Sequence, residues 1–446
     1  MDASTNLSEI DDPLAPALDA PIAEIALEPP PLPPLTPEPV PVRPRPKPVG
    51  EEDRFVTLDV IRGVALCGIL LVNMENFAMV REARYDPALS GGNSAFDHLV
   101  WVVTYLFADT KFIAIFTMLF GAGIAVANQR RRTGGSRGAW AVHYRRMFFL
   151  LAVGAAHGLF LWRGDILYFY AFWGMWLYFA PRLPTLLLGI AGAVFYTVFL
   201  EGYTWQGHHL EGFAHQLLDG PEGYSWWERE IYQGDWHIQY EYRMQSERYY
   251  LTRLPFDFAT HLLGLMFFGM SLFKSGFLPG RWPAWIYFVL SVVTLPLGAW
   301  LVVDGTAMDT GFAGLFEARE FVWGSLLLSM GYMSAAITLT KAVGLRFGLG
   351  GFAALGRMAF TNYLMQTLIC TTLFYGYGFG LFEQTTRSQQ FGIVAAICAF
   401  QIMFSFVWLR FFRFGPLEWI WRTFSYWRWQ PIFRETAPSA DPPITL

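Results

Sequence analysis

The chain has 446 residues, of which 54% are hydrophobic, 18% aromatic and only 15% charged. Soluble domains carry roughly a quarter charged residues, so this balance excludes an ordinary globular protein. The formal net charge of −4 is small and its charges are segregated by region, which gives no footprint for nucleic acid.

Residues 1–50 come first in the chain. From Ala20 to Gly50 proline dominates, as in PPPLPPLTPEPVPVRPRPKP. Such a run stays extended and builds no core, so a disordered tail is expected. It lacks the basic start and apolar centre of a signal peptide, which predicts retention in the mature protein. A spacer and a dock for a proline-reading protein partner are the two roles open to it.

About ten apolar runs follow, near 58–79, 98–127, 144–162, 165–180, 184–203, 257–275, 283–303, 319–341, 353–376 and 389–411. Open sheets cannot span lipid, so the predicted fold is all-α, a polytopic transmembrane helical bundle. The second run is over-long and carries Asp109 and Lys111. It also reads as a short interfacial helix followed by a span starting near Phe112. The segment 204–256 is acidic, aromatic and mostly helical in pattern. It is either a helix pair resting on the membrane or a lid over an outward-facing cavity. The expected organisation is thus a tail (1–50), a membrane half (54–256) ending in this acidic segment, a second half (257–430) and a tail (431–446).

Charge placement orients the bundle. RPRPKP precedes the first run and QRRRTGGSRG follows the second. Arg182, Lys274 with Arg281, Lys341 with Arg346, and Arg410 with Arg413, Arg422 and Arg428 follow the fourth, sixth, eighth and tenth. With ten spans these all share one face, while 204–256 and the connection around Asp304 and Asp309 share the other. The positive-inside rule makes the basic face cytoplasmic and places both termini there.

Ionisable residues at membrane depth usually face the bundle interior and mark a site. Here they form two layers. Toward the outer face lie Asn73, Glu75, Asp109, Lys111, His157, Arg163, Asp165 and His261. Toward the cytoplasm lie Asp59, Arg62 and Arg357, with Arg145 and Arg146 opening the third run, while Thr361, Asn362 and Gln366 climb toward mid-membrane. Arg163 also reads as a headgroup anchor, Asp165 as a helix cap and His261 as a satisfied core histidine. His157 is harder to explain that way. GAAHG places Gly154 and Gly158 four apart, a small-residue surface that admits another helix. A histidine facing protein there, with Asp165 or Asp109 orienting its ring, suits a general base.

No soluble-enzyme motif is present: GxSxG, HExxH, Walker and dinucleotide fingerprints are all missing. GLGGFAALG is glycine-rich but no strand precedes it. Cys67, Cys370 and Cys398 sit in apolar runs without CxxC spacing, so neither a disulfide framework nor a metal site is expected.

Five ordered motifs carry a resemblance: LDVIRGVALCGILLVNM (58–74), KFIAIFTMLFGAGIAV (111–126), HGLFLWRGDILYFYAFWG (157–174), GRMAFTNYLMQTLI (356–369) and FRFGPLEWIWRTFSY (412–426). Over residues 54–430 the chain resembles the YeiB-like bacterial membrane proteins, built around a conserved domain of unknown function (family 418). That resemblance implies a multi-pass protein of the bacterial inner membrane. More distantly, Leu58, Asp59, Arg62, Gly63, Val72 and Asn73 look like the first helix of the transmembrane acyltransferases, the heparan-glucosaminide and bacterial sugar O-acetyltransferases. Those proteins pass an acyl group from acyl-CoA to an acceptor across the membrane, using an intramembrane histidine. This chain has no histidine in residues 74–97, so His157 or His261 would have to supply that chemistry.

Under that implication Asn73, Lys111 or Arg163 would stabilise the oxyanion, and Arg62, Arg357, Arg145 and Arg146 would hold the CoA phosphates. Asn362 and Gln366 would line the path. Acyl-CoA is then a co-substrate, with membrane lipid around the protein and a small-molecule or envelope acceptor. Two other classes stay open: a transporter for a small polar or acylated molecule, and a non-catalytic membrane component. The sequence shows no inverted repeat and no paired glycine- or proline-broken helices, the usual signs of a transporter.

Overall fold

The computed structural model describes residues 55–84, 87–134, 138–198, 223–252, 259–307, 319–346 and 348–434. The expectations for the tail 1–50, for 204–222, for the connection at Asp309 and for 435–446 fall outside the described residues. In order, the helices are α1 (Val56–Ala78), α2 (Ala95–Val103), α3 (Lys111–Gly134), α4 (Ala139–Phe160), α5 (Leu167–Trp176), α6 (Thr185–Val198), α7 (Gly223–Gln233) and α8 (Trp236–Thr252). Then come α9 (Ala259–Lys274), α10 (Ala284–Ala307), α11 (Arg319–Val343), α12 (Leu349–Arg357), α13 (Ala359–Phe374), α14 (Arg387–Phe411) and α15 (Pro416–Tyr426). The fold is all-α, as the hydropathy predicts. Among the described residues, five stretches are long and apolar enough to cross a membrane: Val56–Ala78, Ala95–Gln129, Ala284–Gly305, Arg319–Val343 and Arg387–Phe411. Thr185–Val198 and Ala259–Lys274 are apolar but shorter.

Close helix crossings depend on glycine. A Cβ on Gly63 of α1 would lie 2.0 Å from the Phe352 carbonyl oxygen, and one on Gly356 of α12 would lie 1.9 Å from that of Asp59. Backbone meets backbone there, so the small residues of the first and fourth motifs serve packing. Gly356→Val is expected to force α12 off α1 and cost about 1–3 kcal/mol, the range for overpacking. Its unfolding midpoint in detergent should fall, while Gly392→Ala, which meets open space, should match the parent.

Two of the apolar runs are interrupted, the second run where the alternative reading of a short helix followed by a span near Phe112 expects a break. α2 passes into a π-turn at Thr104–Ala108 that ends at Asp109, and Thr110 takes a left-handed φ of 64° before α3 begins. The ninth run, expected as one span over 353–376, is two helices broken at Met358. Pro296, by contrast, sits inside an unbroken α10.

A broken helix leaves backbone donors open at the new N-terminus, and Glu418 of α15 fills that need. Its Oε1 accepts from Phe360 N at 2.8 Å and Thr361 N at 3.1 Å, and its Oε2 accepts from Thr361 Oγ at 2.6 Å. A carboxylate is also the favoured charge at that helix end. α15 lies beyond the last apolar run, so the break in the ninth run and the terminal amphipathic helix are one device.

Burial pushes the Glu418 carboxyl above its ordinary value of about 4.5, against the pull of those hydrogen bonds. A raised acid binds its proton more tightly folded than unfolded. Its contribution to stability is therefore complete below the ordinary value and falls as pH rises through the raised one. Melting midpoints over that window should decline more in the parent than in Glu418→Gln, and parallel curves would contradict this.

Candidate functional site

His157 occupies the last turn of α4, and the chain then turns through Trp162–Asp165 into α5. Asp165 reaches back. Its Oδ1 lies 2.8 Å from His157 Nδ1, while its Oδ2 accepts from Tyr168 N at 2.8 Å. The two readings of Asp165, helix cap and histidine partner, are both realised by one side chain. Gly154 permits it: a Cβ there would lie 2.4 Å from Tyr168 N and 2.9 Å from Asp165 Oδ2.

The other imidazole nitrogen, Nε2, lies 3.0 Å from Thr367 Oγ of α13. His157 is 2% exposed, Asp165 7% and Thr367 1%. With the carboxylate holding Nδ1–H, Nε2 is left as the acceptor and the threonine hydroxyl donates to it. Tyr363 and Trp162 flank the ring at centroid separations of 5.5 and 6.4 Å.

A buried polar seam descends α13 from this pair. Gln366 Nε2 donates to Gln401 Oε1 at 3.0 Å, Gln401 Nε2 to the Asn362 carbonyl at 2.9 Å, and Asn362 Nδ2 to Ser405 Oγ at 2.9 Å. Thr361 then meets Glu418 at the helix break. Six residues separate Thr361 from Thr367, about 9 Å of helix.

The helical pair α7–α8 covers the C-terminal ends of α4 and α13 and the N-terminal end of α5. Arg243 Nε donates to the Leu159 carbonyl at 2.8 Å, at the C-terminus of α4. Tyr168 Oη donates to the Leu251 carbonyl at 3.2 Å, and Gly376 N to that of Tyr232 at 2.8 Å. Arg163 donates to the Tyr242 hydroxyl and stands over its ring at 5.1 Å, so it anchors the roof rather than a headgroup. Glu228 of α7 accepts from Arg81 N at 2.7 Å. Burial pushes its carboxyl up, against the pull of Arg81 and Arg163.

Glu75, Asp109 and Lys111 form a second cluster with Arg84 and Arg387, which Asn73 and His261 do not join among the described contacts. Asp109, the other expected partner for the His157 ring, is gripped by Arg84 through both carboxylate oxygens. Fully buried Lys111 holds its ammonium 4.2 Å over the Phe321 ring. Glu75 pairs with Arg387 Nε at 3.6 Å. Asn73 is half-buried on α1. His261 stacks on Tyr196 at 5.2 Å, and no described contact joins it to the Asp165–His157 pair.

The arginines expected toward the cytoplasm are spread over several elements. Arg62 pairs with Asp59 at 3.2 Å on α1, one turn from the Gly63 crossing. Arg145 Nε donates to the Ala141 carbonyl of its own helix at 3.1 Å. Arg146 stands 4.6 Å over the Trp421 ring, and its carbonyl accepts from Trp421 Nε1 at 3.1 Å, which docks α15 on α4. Arg357 ends α12 at the break. Thr367, Arg84, Arg387 and Glu418 were not singled out from sequence.

Comparison with known proteins agrees with the fivefold motif set. Residues 271–428 match the family model described as a protein of unknown function (DUF418). The chain is 30% identical over 406 residues to the uncharacterized protein YeiB of Escherichia coli (strain K12), covering 86% of this chain and 100% of that one. It is 31% identical over 420 residues to the uncharacterized protein YxaH of Bacillus subtilis (strain 168), covering 87% and 98%. Identity of this level along nearly the whole of both proteins means that the chain belongs to the YeiB-like family of DUF418 proteins.

Proposed function

We propose that the protein transfers an acyl group from acyl-CoA to a hydroxyl-bearing small-molecule or envelope acceptor at the outer face of the bacterial inner membrane. The observation that carries this reading is the buried Asp165–His157 pair, whose acceptor nitrogen faces a hydroxyl at 3.0 Å. In the step, Nε2 takes the acceptor's hydroxyl proton as that oxygen attacks the thioester carbon. The C–S bond then breaks and the imidazolium returns the proton to the departing thiolate. Asn73, Lys111 and Arg163 are the oxyanion donors this reading assigns. Arg62, Arg357, Arg145 and Arg146 are its phosphate ligands, and Asn362 and Gln366 line its path. The reading carries ten crossings with both termini in the cytoplasm.

One other reading has a specific observation behind it. The interruptions at Asp109–Thr110 and Met358 are the kind of discontinuous helix that transporters place around a substrate. That favours a transporter for a small polar or acylated molecule as the alternative.

Purified protein in nanodiscs, supplied with acetyl-CoA and candidate alcohols, separates the two. Acceptor-dependent thiol release, reduced about 10²- to 10⁴-fold in His157→Ala with helicity unchanged, supports transfer. Uptake into proteoliposomes without thiol release overturns it in favour of transport.

A further inference from the structure

The fifth sequence motif, residues 412–426, meets the polar seam at Glu418, and its exposed side has no role in the Asp165–His157 site. α14, long and apolar enough to cross a membrane, ends at Phe411, and α15 starts at Pro416. One side of α15 buries Glu418 and Ser425. Ile420, Phe424 and the capping residue Trp427, spaced i, i+4 and i+7, stay exposed on the opposite side. An amphipathic helix so placed leaves an apolar face open to whatever surrounds the protein.

The chain after α15 folds back to extend that face. Phe433 pairs antiparallel with Phe412. Arg413 N donates to the Ile432 carbonyl at 2.8 Å, and Arg434 N to that of Phe411 at 3.1 Å. Trp419 Nε1 donates to the Gln430 carbonyl at 2.8 Å, and its ring meets Trp429 at 5.3 Å. The end of α14, α15 and residues 427–434 are therefore one folded platform, yet it turns large aromatic side chains outward. Trp427 is 71% exposed and Trp429 77%, with Phe411 and Phe433 exposed beside them. Trp427 also takes a left-handed φ of 52°, where glycine is the usual residue. The indole is held there at a conformational cost while most of it faces outward.

Charge decides what lies against it. Residues 410–434 carry Arg410, Arg413, Arg422, Arg428 and Arg434 against a single acid, Glu418. That acid is buried and spent on capping α13. Arg413 and Arg434 flank the bridged phenylalanines, one on each strand. Aromatic rings settle at the boundary between headgroups and acyl chains, and guanidinium groups take phosphate oxygens in pairs. A basic, aromatic surface that begins where a spanning helix ends meets both chemistries in one place, the anionic headgroup layer. A soluble acidic partner would match the arginines alone and leave the Ile420–Phe424 face in water.

We infer that this platform lies in the headgroup layer at the C-terminal end of α14 and binds anionic phospholipid, with arginines on the phosphates and aromatic rings at the top of the acyl chains. The surface stands whether or not the Asp165–His157 site transfers acyl groups.

The test uses the full chain, with the photo-crosslinker benzoylphenylalanine in place of Trp429, in nanodiscs of equal phosphatidylglycerol and phosphatidylcholine. After irradiation, mass spectrometry identifies what is joined to that residue. Phosphatidylglycerol adducts should exceed phosphatidylcholine adducts by about tenfold, since each arginine near an anionic surface favours it roughly fivefold. Salt at about 0.5 M should shrink that excess by screening. Arg413→Gln combined with Arg434→Gln should bring the ratio to within about twofold of unity, whereas Arg182→Gln, on a different connection, should leave it unchanged. If the double variant does not fold, the salt titration still decides. Equal adducts of the two lipids, or an excess indifferent to salt, overturn the inference. So does cross-linking to a second copy of the chain in place of lipid.

Discussion

Asp165→Asn is expected to lower acyl transfer by about 10²- to 10⁴-fold with little change in helix packing. The amide still accepts from Tyr168 N through its oxygen, so α5 keeps the cap that Asp165 Oδ2 provides at 2.8 Å. Its nitrogen then faces His157 Nδ1 and donates to it. That moves the ring proton to Nε2, the nitrogen 3.0 Å from Thr367 Oγ, which can no longer take a proton from a hydroxyl. Two measurements check this: acceptor-dependent thiol release, and ¹⁵N shifts of the labelled imidazole, which report the tautomer. A tautomer switch with full activity retained would remove His157 from the chemistry. The pair would then be a buried clamp between α4, α5 and α13.

Arg387→Met should be the most destabilising single change, by about 3–5 kcal/mol, the cost of breaking one partner out of a buried charged network. Arg387 is 1% exposed. Its guanidinium ties the carbonyls of Ala83, Pro87 and Ser90 to the first turn of α14, and its own N–H donates to the Gly91 carbonyl at 2.7 Å. Methionine fills the space but leaves those carbonyls without their donor and Glu75 without its cation. Adding Glu75→Gln should recover part of the loss, because only the stranded charge is then removed. Unfolding in detergent measures both steps. A loss below about 1 kcal/mol would mean that the loop carbonyls find other donors.

Much of this protein was legible before any coordinates. Helical class follows from composition, because a chain this apolar must satisfy its own backbone in lipid. Most run boundaries fall within a few residues of the helices, as with 319–341 against Arg319–Val343. The His157–Asp165 pair was one of the alternatives the sequence left open, beside Asp109 as the partner and a cap role for Asp165, and the structure shows the pair. Other residues had weaker signals. Thr386 and Gln389 form a capping box, and the threonine, asparagine and glutamine of TNYLMQT recur at helical spacing, which places Thr367 on the seam beside Gln366.

What the sequence by itself determined is everything that depends on local order: helical class, a histidine on a small-residue helix face, and the tight turn that places Asp165 near it. These are encoded by residues a few positions apart, where periodicity and turn geometry act directly. Only the tertiary structure decided which distant groups complete each site. Thr367 meets His157 across 210 positions, Glu418 caps a helix begun 58 positions earlier, and Arg387 holds a loop about 300 positions away. Buried polar groups must find partners wherever the helices happen to cross. Those crossings are set by backbone contacts at Gly63 and Gly356, which no spacing along the chain reveals.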